Sequence, residues 1–299
     1  ADWRPSKRGY PKIGSLQNFQ KKYNNADELY KNPPIYDIYV TGSDQVWNPT
    51  LGFELEAYFL TFAPQGAKKI AYAPSIARND LPSQFTDKYR KWLMDYNALS
   101  IREKTGQTII HNIIGKKIQV VLDPTFLLSN QEWRSQMSHE ITCPPQYILC
   151  FTLSDKNLID YAAKLSKESK LPLLVISTYM NYKVEGANVI LDAGPAELIS
   201  YINSANLVIT DSFHGVAMSI QLAKNFFAYI KKNKKGIPDI SDRIRTLIDT
   251  FHLNNHIISD LSQDFTYFSN NQYNRIELDR LIDEARMESQ NFLIDALAS

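Results

Sequence analysis

The run Leu207-Val208-Ile209-Thr210 is apolar and β-branched, and it stops at Asp211-Ser212. Phe213-His214-Gly215-Val216-Ala217-Met218-Ser219-Ile220 then follows with helical period and no linker. This pattern predicts a strand, a tight turn and a helix start, with Ser212 as cap and His214 in the first helical turn. Such a junction gathers unpaired backbone N–H groups at the positive end of a helix dipole, so it attracts anions. A histidine there can move a proton beside a bound phosphate or carboxylate. A capped, buried helix with a packed histidine is the structural alternative.

The pattern recurs. Asp37-Ile38-Tyr39-Val40-Thr41 ends in Gly42-Ser43-Asp44-Gln45, Ala98-Leu99-Ser100-Ile101 in Arg102-Glu103, and Val120-Val121-Leu122 in Asp123-Pro124-Thr125. In open α/β sheets ligands sit outside the carboxyl ends of the strands. Polar groups repeated at strand exits are what a site assembled from several strands requires.

Strands are expected at about 36–41, 69–74, 98–101 and 119–123, with helices over Gln17–Tyr30, Gln84–Tyr96 and Lys104–Ile114, the last stopped by Gly115. Thr142-Cys143-Pro144-Pro145 breaks this alternation, because neither proline can join a ladder or continue a helix. A second α/β run follows, with strands at 147–153, 172–177, 187–191, 206–210 and 225–230 and helices at 156–169, 195–204 and 213–223. Ile237–Phe251 and an amphipathic tail, Tyr273–Leu297, complete it as helices. Strand alternating with helix marks parallel sheets with right-handed crossovers. The expected architecture is two doubly wound, Rossmann-like domains, 1–143 and 144–272, facing a cleft, with 273–299 a long helix returning toward the first.

Composition narrows the function. At 299 residues, 44% hydrophobic and 22% charged, the chain can bury two cores. A net charge of +1 supplies no field for nucleic acid, and no nucleic-acid motif is present. The longest apolar runs are strand-length, too short for a conventional transmembrane helix. Cys143 and Cys150 sit in no metal-ligand spacing and the five histidines form no zinc pattern, so no metal is expected. The 17 tyrosines fit a sugar-handling cleft and core packing equally well.

Taken together, Gly42-Ser43-Asp44-Gln45-Val46-Trp47-Asn48, Lys69-Ile70-Ala71-Tyr72-Ala73, Ser100-Ile101-Arg102-Glu103, Asp123-Pro124-Thr125-Phe126-Leu127-Leu128, Thr210-Asp211-Ser212-Phe213-His214-Gly215 and Ser241-Asp242-Arg243-Ile244 resemble the polysaccharide pyruvyl transferase family. They occur in the family's order over about 40 to 245. The resemblance implies a GT-B-like two-domain fold. It also implies phosphoenolpyruvate as donor, and a pyruvate ketal formed on a sugar of a surface polysaccharide or its lipid-linked precursor. No cofactor beyond the donor is implied. Two departures stand out. Asp2-Trp3-Arg4-Pro5 looks like the motif just after the family's second strand, so the opening strand, loop and helix are expected to be missing. Pro74-Ser75-Ile76-Ala77 stands where the family more often has Ser-Phe-Gly, and a missing glycine limits close backbone approach.

Ketal formation protonates the methylene carbon, develops positive charge at the enol carbon and expels phosphate as two hydroxyls attack. It calls for a general acid and a cationic clamp. Arg102 suits the clamp, since guanidinium matches oxyanions with paired hydrogen bonds; an Arg102–Glu103 surface pair is the alternative. His214 is the candidate acid or base. Lys234, within Lys231-Lys232-Asn233-Lys234-Lys235, fits the family's lysine spacing, against a solvated basic loop. Ser212, Ser43, Asp44 and Arg243 are the expected substrate-binding residues. For Ser43 and Asp44 a simple helix cap is the alternative, for Arg243 a solvated helix face. Asp123-Pro124 is expected to shape the passage between domains.

Two rival readings share these features: a GT-B glycosyltransferase using a nucleotide sugar, and a non-catalytic glycan-binding relative. The expected location is cytoplasmic. Homo-oligomerisation and peripheral attachment to a membrane are both compatible with the sequence.

Overall fold

The computed structural model describes residues 22–52, 54–177, 184–231 and 241–299. Lys234 and the first residues of the helix expected from Gln17 lie outside these. In chain order the elements are α1 (Ala26–Lys31), β1 (Ile38–Thr41), α2 (Leu55–Tyr58), β2 (Lys68–Ala71), α3 (Thr86–Leu93), β3 (Ala98–Ile101), α4 (Lys104–Ile114), β4 (Gln119–Val120) and α5 (Asn130–Ser135). There follow β5 (Ile148–Phe151), α6 (Lys156–Ser169), β6 (Leu173–Ile176), β7 (Ala187–Ile190), α7 (Pro195–Ser204), β8 (Leu207–Thr210), α8 (Phe213–Gln221) and β9 (Phe226–Tyr229). The chain ends with α9 (Asp242–Thr250), β10 (Ile257–Ile258), α10 (Phe265–Asn270) and α11 (Arg275–Ala298).

Contacts divide the described residues into two compact units: an N-terminal unit of 22–127, 241–250 and 280–299, and a central unit of 128–231 and 251–279. The division falls at Leu127/Leu128, ahead of the proline break expected at 143/144. Residues after Leu128 are held by the central unit: Asn130 Nδ2 donates to the Gln221 carbonyl at 2.7 Å, and the Ser138 N–H to Ser200 Oγ at 2.8 Å. From Arg280 onward α11 packs on the N-terminal unit, where the Leu122 N–H donates to Ser289 Oγ and Arg286 Nε to the Phe126 carbonyl.

Each unit is built on a wholly parallel sheet. The N-terminal order is β1-β2-β3-β4, and the central order is β10-β9-β8-β5-β6-β7. The central chain therefore winds outward from β5 in one direction through β6 and β7, then restarts on the other side at β8. Every residue of β6 and β8 is buried, as strands covered on both faces must be. Helix ends follow their side chains. Asp155 accepts the N–H groups of Asn157 and Leu158 to start α6, Pro195 opens α7, and Gly115 ends α4 at φ +69°.

The central core joins Ile148 and Cys150 of β5 to Leu158, Ala162 and Leu165 of α6 and Phe227 of β9. In the N-terminal core Trp47 stacks on Phe59 with ring centroids 4.7 Å apart, against Tyr89 and Trp92 of α3 and Ile110 of α4. Tyr89 donates its hydroxyl to the Trp47 carbonyl at 2.6 Å. Much of the aromatic content that fitted a sugar cleft thus serves packing here. Most strands are shorter than expected, β2 and β4 for reasons the backbone shows. β2 stops at Ala71 because Ala73 turns to φ +52°, and β4 stops at Val120 before Asp123 caps a turn through Pro124–Phe126.

Candidate functional site

In the N-terminal unit the strand exits are tied together by backbone first. The Ser75 N–H donates to the Asp44 carbonyl at 2.7 Å, and the Arg102 N–H to the Pro74 carbonyl at 3.0 Å. Gly42 makes the first turn possible. It sits at φ +112°, and a Cβ there would overlap the Tyr72 carbonyl. Asp44 follows at φ +61° with no helix after it, so the helix-cap alternative for Ser43 and Asp44 does not hold.

Side chains then close the network. Arg102 Nη1 reaches Asp123 Oδ2 at 2.6 Å and Arg102 Nη2 reaches Asp44 Oδ1 at 2.9 Å. Ser43 Oγ donates to Asp123 Oδ2 at 3.0 Å, and the Thr125 N–H to Asp123 Oδ1 at 3.0 Å. Arg243 Nη1 approaches Asp44 Oδ1 at 3.4 Å from the first turn of α9. That helix is set in place by α4: the Thr105 N–H and hydroxyl both donate to Asp242, and the Lys104 N–H donates to Thr246 Oγ1 at 3.3 Å. Burial pushes the Arg243 guanidinium down to about 10, and the Arg102 charge beside it acts in the same direction. It stays protonated at neutral pH.

This geometry changes the expected picture of Arg102. The Arg102–Glu103 surface pair does not hold, because both residues are buried. Glu103 points elsewhere, accepting the N–H groups of Ile76 and Ala77 at 2.8 and 3.1 Å, and burial raises its carboxyl above the usual range. Ala77 takes φ +52°, so the loop that lacks the family's glycine still adopts a backbone glycine favours. Asp123 braces Arg102 and Ser43 at the strand exits of the N-terminal unit. Arg102, Arg243, Asp44 and Asp123 carry formal charges that cancel. Two unit charges 4 Å apart interact by roughly 4 kcal/mol at an effective dielectric near 20. A phosphate arriving at Arg102 therefore meets repulsion from Asp44 and Asp123 comparable to its attraction to the guanidiniums. Only 2% of the Arg102 side chain is exposed, against 54% of Asp44. The group this site offers to solvent is the carboxylate.

The central unit presents a different set of exits. The order of its strands reverses between β5 and β8, the place where open α/β sheets bind ligands. Thr210 Oγ1 donates to the Phe151 carbonyl at 2.6 Å and accepts the Ser212 N–H at 3.0 Å. Ser212 Oγ caps α8 on the Gly215 N–H at 3.4 Å. Gly215 is needed because a Cβ would run into Thr210 Oγ1 and lie 2.9 Å from the Phe151 ring. His214 is half-buried in the first turn of α8, its ring edge-on to Phe213.

At the same unit's strand exits lie Lys231 and Asp211, which the sequence names only within longer motifs, and Asp155, which it does not name. Lys231, just past β9, pairs with Asp155 Oδ2 at 2.6 Å; the lysine side chain is 62% exposed and the aspartate 4%. That hydrogen bond raises the Lys231 ammonium above its ordinary range. Burial, reinforced by Asp155, raises the Asp211 carboxyl, and no partner among the described residues reaches its buried Oδ1. The pairing of Asp155 with Lys231 depends on β5 and β9 lying two strands apart. The structure thus brings Ser43, Asp44, Arg102 and Arg243 together in one unit and Ser212 with His214 in the other; Lys234 lies outside the described residues. Among the described residues no group of histidine, cysteine or acidic side chains could hold a metal ion.

Comparison with known proteins adds the following. By structure the chain is similar to the UDP-GlcNAc 2-epimerase of Methanocaldococcus jannaschii solved with UDP-GlcNAc and UDP, at 11% identity and TM-score 0.52, over 86% of this chain and 77% of that one. It is similar to the epimerases of Rickettsia bellii (12%, 0.52, 91% and 76%) and Neisseria meningitidis (11%, 0.52, 91% and 78%). Likeness at this identity concerns the fold, which is GT-B-like with two parallel-sheet α/β domains. No curated protein matches the chain by sequence. A family model for polysaccharide pyruvyl transferase matches residues 2–230, spanning the exits of β1 to β9 and the His214 turn. The chain is therefore a member of the polysaccharide pyruvyl transferase family.

Proposed function

We propose that this transferase moves the enolpyruvyl group of phosphoenolpyruvate onto two hydroxyls of one sugar, in a surface polysaccharide or its lipid-linked precursor. Two C–O bonds form at the enol carbon and the C–O bond to phosphate breaks. Of the two hydroxyl protons displaced, the equivalent of one ends on the methylene carbon and the other on the released phosphate. The partly buried His214 at the N-terminus of α8, beside the β5/β8 reversal, is the observation that carries this reading. The helix N-terminus favours an anion, and the imidazole beside it can deliver a proton. Lys231 adds an exposed cation at the next strand exit. The reaction needs neither metal nor organic cofactor. It belongs in the cytoplasm, where phosphoenolpyruvate is made. A lipid-linked acceptor would bring the protein to a membrane surface, and no described helix is long and apolar enough to cross one.

The test is phosphate release from phosphoenolpyruvate across a panel of hexosides and N-acetylhexosaminides, with thermal shift read in parallel. Stabilisation by phosphoenolpyruvate with acceptor-dependent phosphate release is expected. Stabilisation by nucleotide sugars alone would instead favour a glycosyltransferase, and no turnover of any donor a non-catalytic glycan binder.

A further inference from the structure

We propose that Glu103 is the positioning residue of the N-terminal strand exits: through the loop of residues 74–77 it sets where Asp44 and Arg102 stand. Glu103 occupies the N-cap of α4, yet its side chain makes no capping bond there. It crosses instead to the exit of β2, where Oε1 accepts the Ile76 and Ala77 N–H groups at 2.8 and 3.1 Å. Gly106 leaves room for this path, since a Cβ there would stand 3.0 Å from Oε1 and 2.8 Å from the Ile101 side chain. Glu103, Ser75, Ile76 and Ala77 are all fully enclosed, so water has no access to replace these bonds.

The loop that Glu103 holds touches both neighbouring exits. Ser75 donates its N–H to the Asp44 carbonyl at 2.7 Å and accepts the Trp47 N–H at 3.3 Å, while the Pro74 carbonyl accepts the Arg102 N–H at 3.0 Å. Asp44 and Pro74 also pair as an isolated parallel bridge. Ala77 holds φ +52°, a conformation that costs an L-residue and that glycine adopts freely. The bond from its N–H to Glu103 opposes that cost. One buried carboxyl oxygen thereby fixes the exits of β1, β2 and β3 to one another. Enclosed as it is, Glu103 acts through Asp44 and Arg102. What those two residues bind follows from the pyruvyl-transfer reading, whereas the coupling rests on the fold alone.

Residue-resolved hydrogen exchange on the full chain tests this without depending on turnover. Glu103→Asp keeps the charge and withdraws the oxygen by one methylene. The Ser75, Ile76, Ala77 and Arg102 amides should then exchange about 10- to 100-fold faster, the size of one buried hydrogen bond lost, while the Ile110 amide in α4 stays within about twofold. Glu103→Gln keeps a carbonyl oxygen at the same reach and should keep the protection. Ala77→Gly removes the conformational cost, so in that background Glu103→Asp should speed the Ser75 and Arg102 amides at least about threefold less. The kcat/KM for acceptor-dependent phosphate release should fall in the order Glu103→Gln, the double variant, Glu103→Asp. Equal acceleration at Ile110 would make Glu103 a merely structural residue, and unchanged Ser75 and Arg102 amides would break its link to the site; either overturns the proposal. So do loss of protection or of folding in Glu103→Gln, and turnover indifferent to Glu103→Asp. Should Glu103→Asp not fold, the double variant is compared with Ala77→Gly instead. If the exchange pattern holds and wild type releases no phosphate, the donor assignment fails and the positioning role stands.

Discussion

The two sheets end differently. At the N-terminal unit's strand exits, two arginines and two aspartates neutralise one another, and most of that cluster is buried. At the central unit's exits the charges are unevenly shared: a partly buried histidine, an exposed lysine on a buried aspartate, and a carboxyl that burial raises above the usual range. The same architecture, parallel strands with loops at their carboxyl ends, yields a braced, charge-balanced cluster in one unit and an unevenly charged set of titratable groups in the other. Strand order accounts for part of this. The described N-terminal strands run from one edge to the other in sequence order, whereas the central strands reverse between β5 and β8, the place where open α/β sheets take ligands.

Removing His214 should separate the units most sharply. His214→Ala is expected to lower turnover by about 10²- to 10⁴-fold, the usual worth of a general acid or base, while phosphoenolpyruvate affinity by calorimetry is nearly retained. Turnover within threefold of wild type would return the histidine to a packing role.

The ion pairs should differ next. Arg102→Ala leaves Asp123 buried without its cation and should cost about 3–5 kcal/mol in urea unfolding. Lys231→Ala removes a lysine that is itself exposed, but it leaves the buried Asp155 with only its two N–H partners at the start of α6, so a smaller loss of about 1–3 kcal/mol is expected. Equal losses would mean that the N-terminal network is no more committed than a surface pair.

Much of this comparison was legible from sequence, in a graded way. The ends of α4, α6 and α7 follow local chemistry, Gly115, Asp155 and Pro195, and fall where the sequence places them. The exits of β2 and β4 do not, because Ala73 and Asp123 take up turns that tertiary contacts select. β10, two residues long, gives no periodicity to read. Arg102 was recognised as a strand-exit cation, but its character depends on Asp44 and Asp123, 58 and 21 residues away, and on α9 returning beside α4. Local pattern finds such a residue. Only the fold tells whether its charge is available.

The smallest expected effect concerns Asp211. Burial raises its carboxyl above the ordinary 3.8. Between the unfolded and folded values the native state therefore holds a proton the unfolded chain has lost. Stability falls as pH rises through that window, the reverse of an ion-paired aspartate. Asp211→Asn should thus raise the melting temperature at pH 7 by up to roughly 2–4 °C, the equivalent of about 1 kcal/mol in a chain this size, with the gain vanishing near pH 3. A gain that is unchanged at pH 3, or a loss at pH 7, would show that the carboxyl is not held protonated by burial.

Proton delivery to the donor's methylene carbon is the central step of the proposed reaction, and the product's methyl group records it. With phosphoenolpyruvate and an accepted glycoside in D₂O, NMR of the isolated product should show a ketal whose methyl carries one deuterium, CH₂D, formed in step with phosphate release and lost in His214→Ala. A vinyl ether that keeps its methylene protons, or a product with no pyruvate-derived carbon, would contradict it.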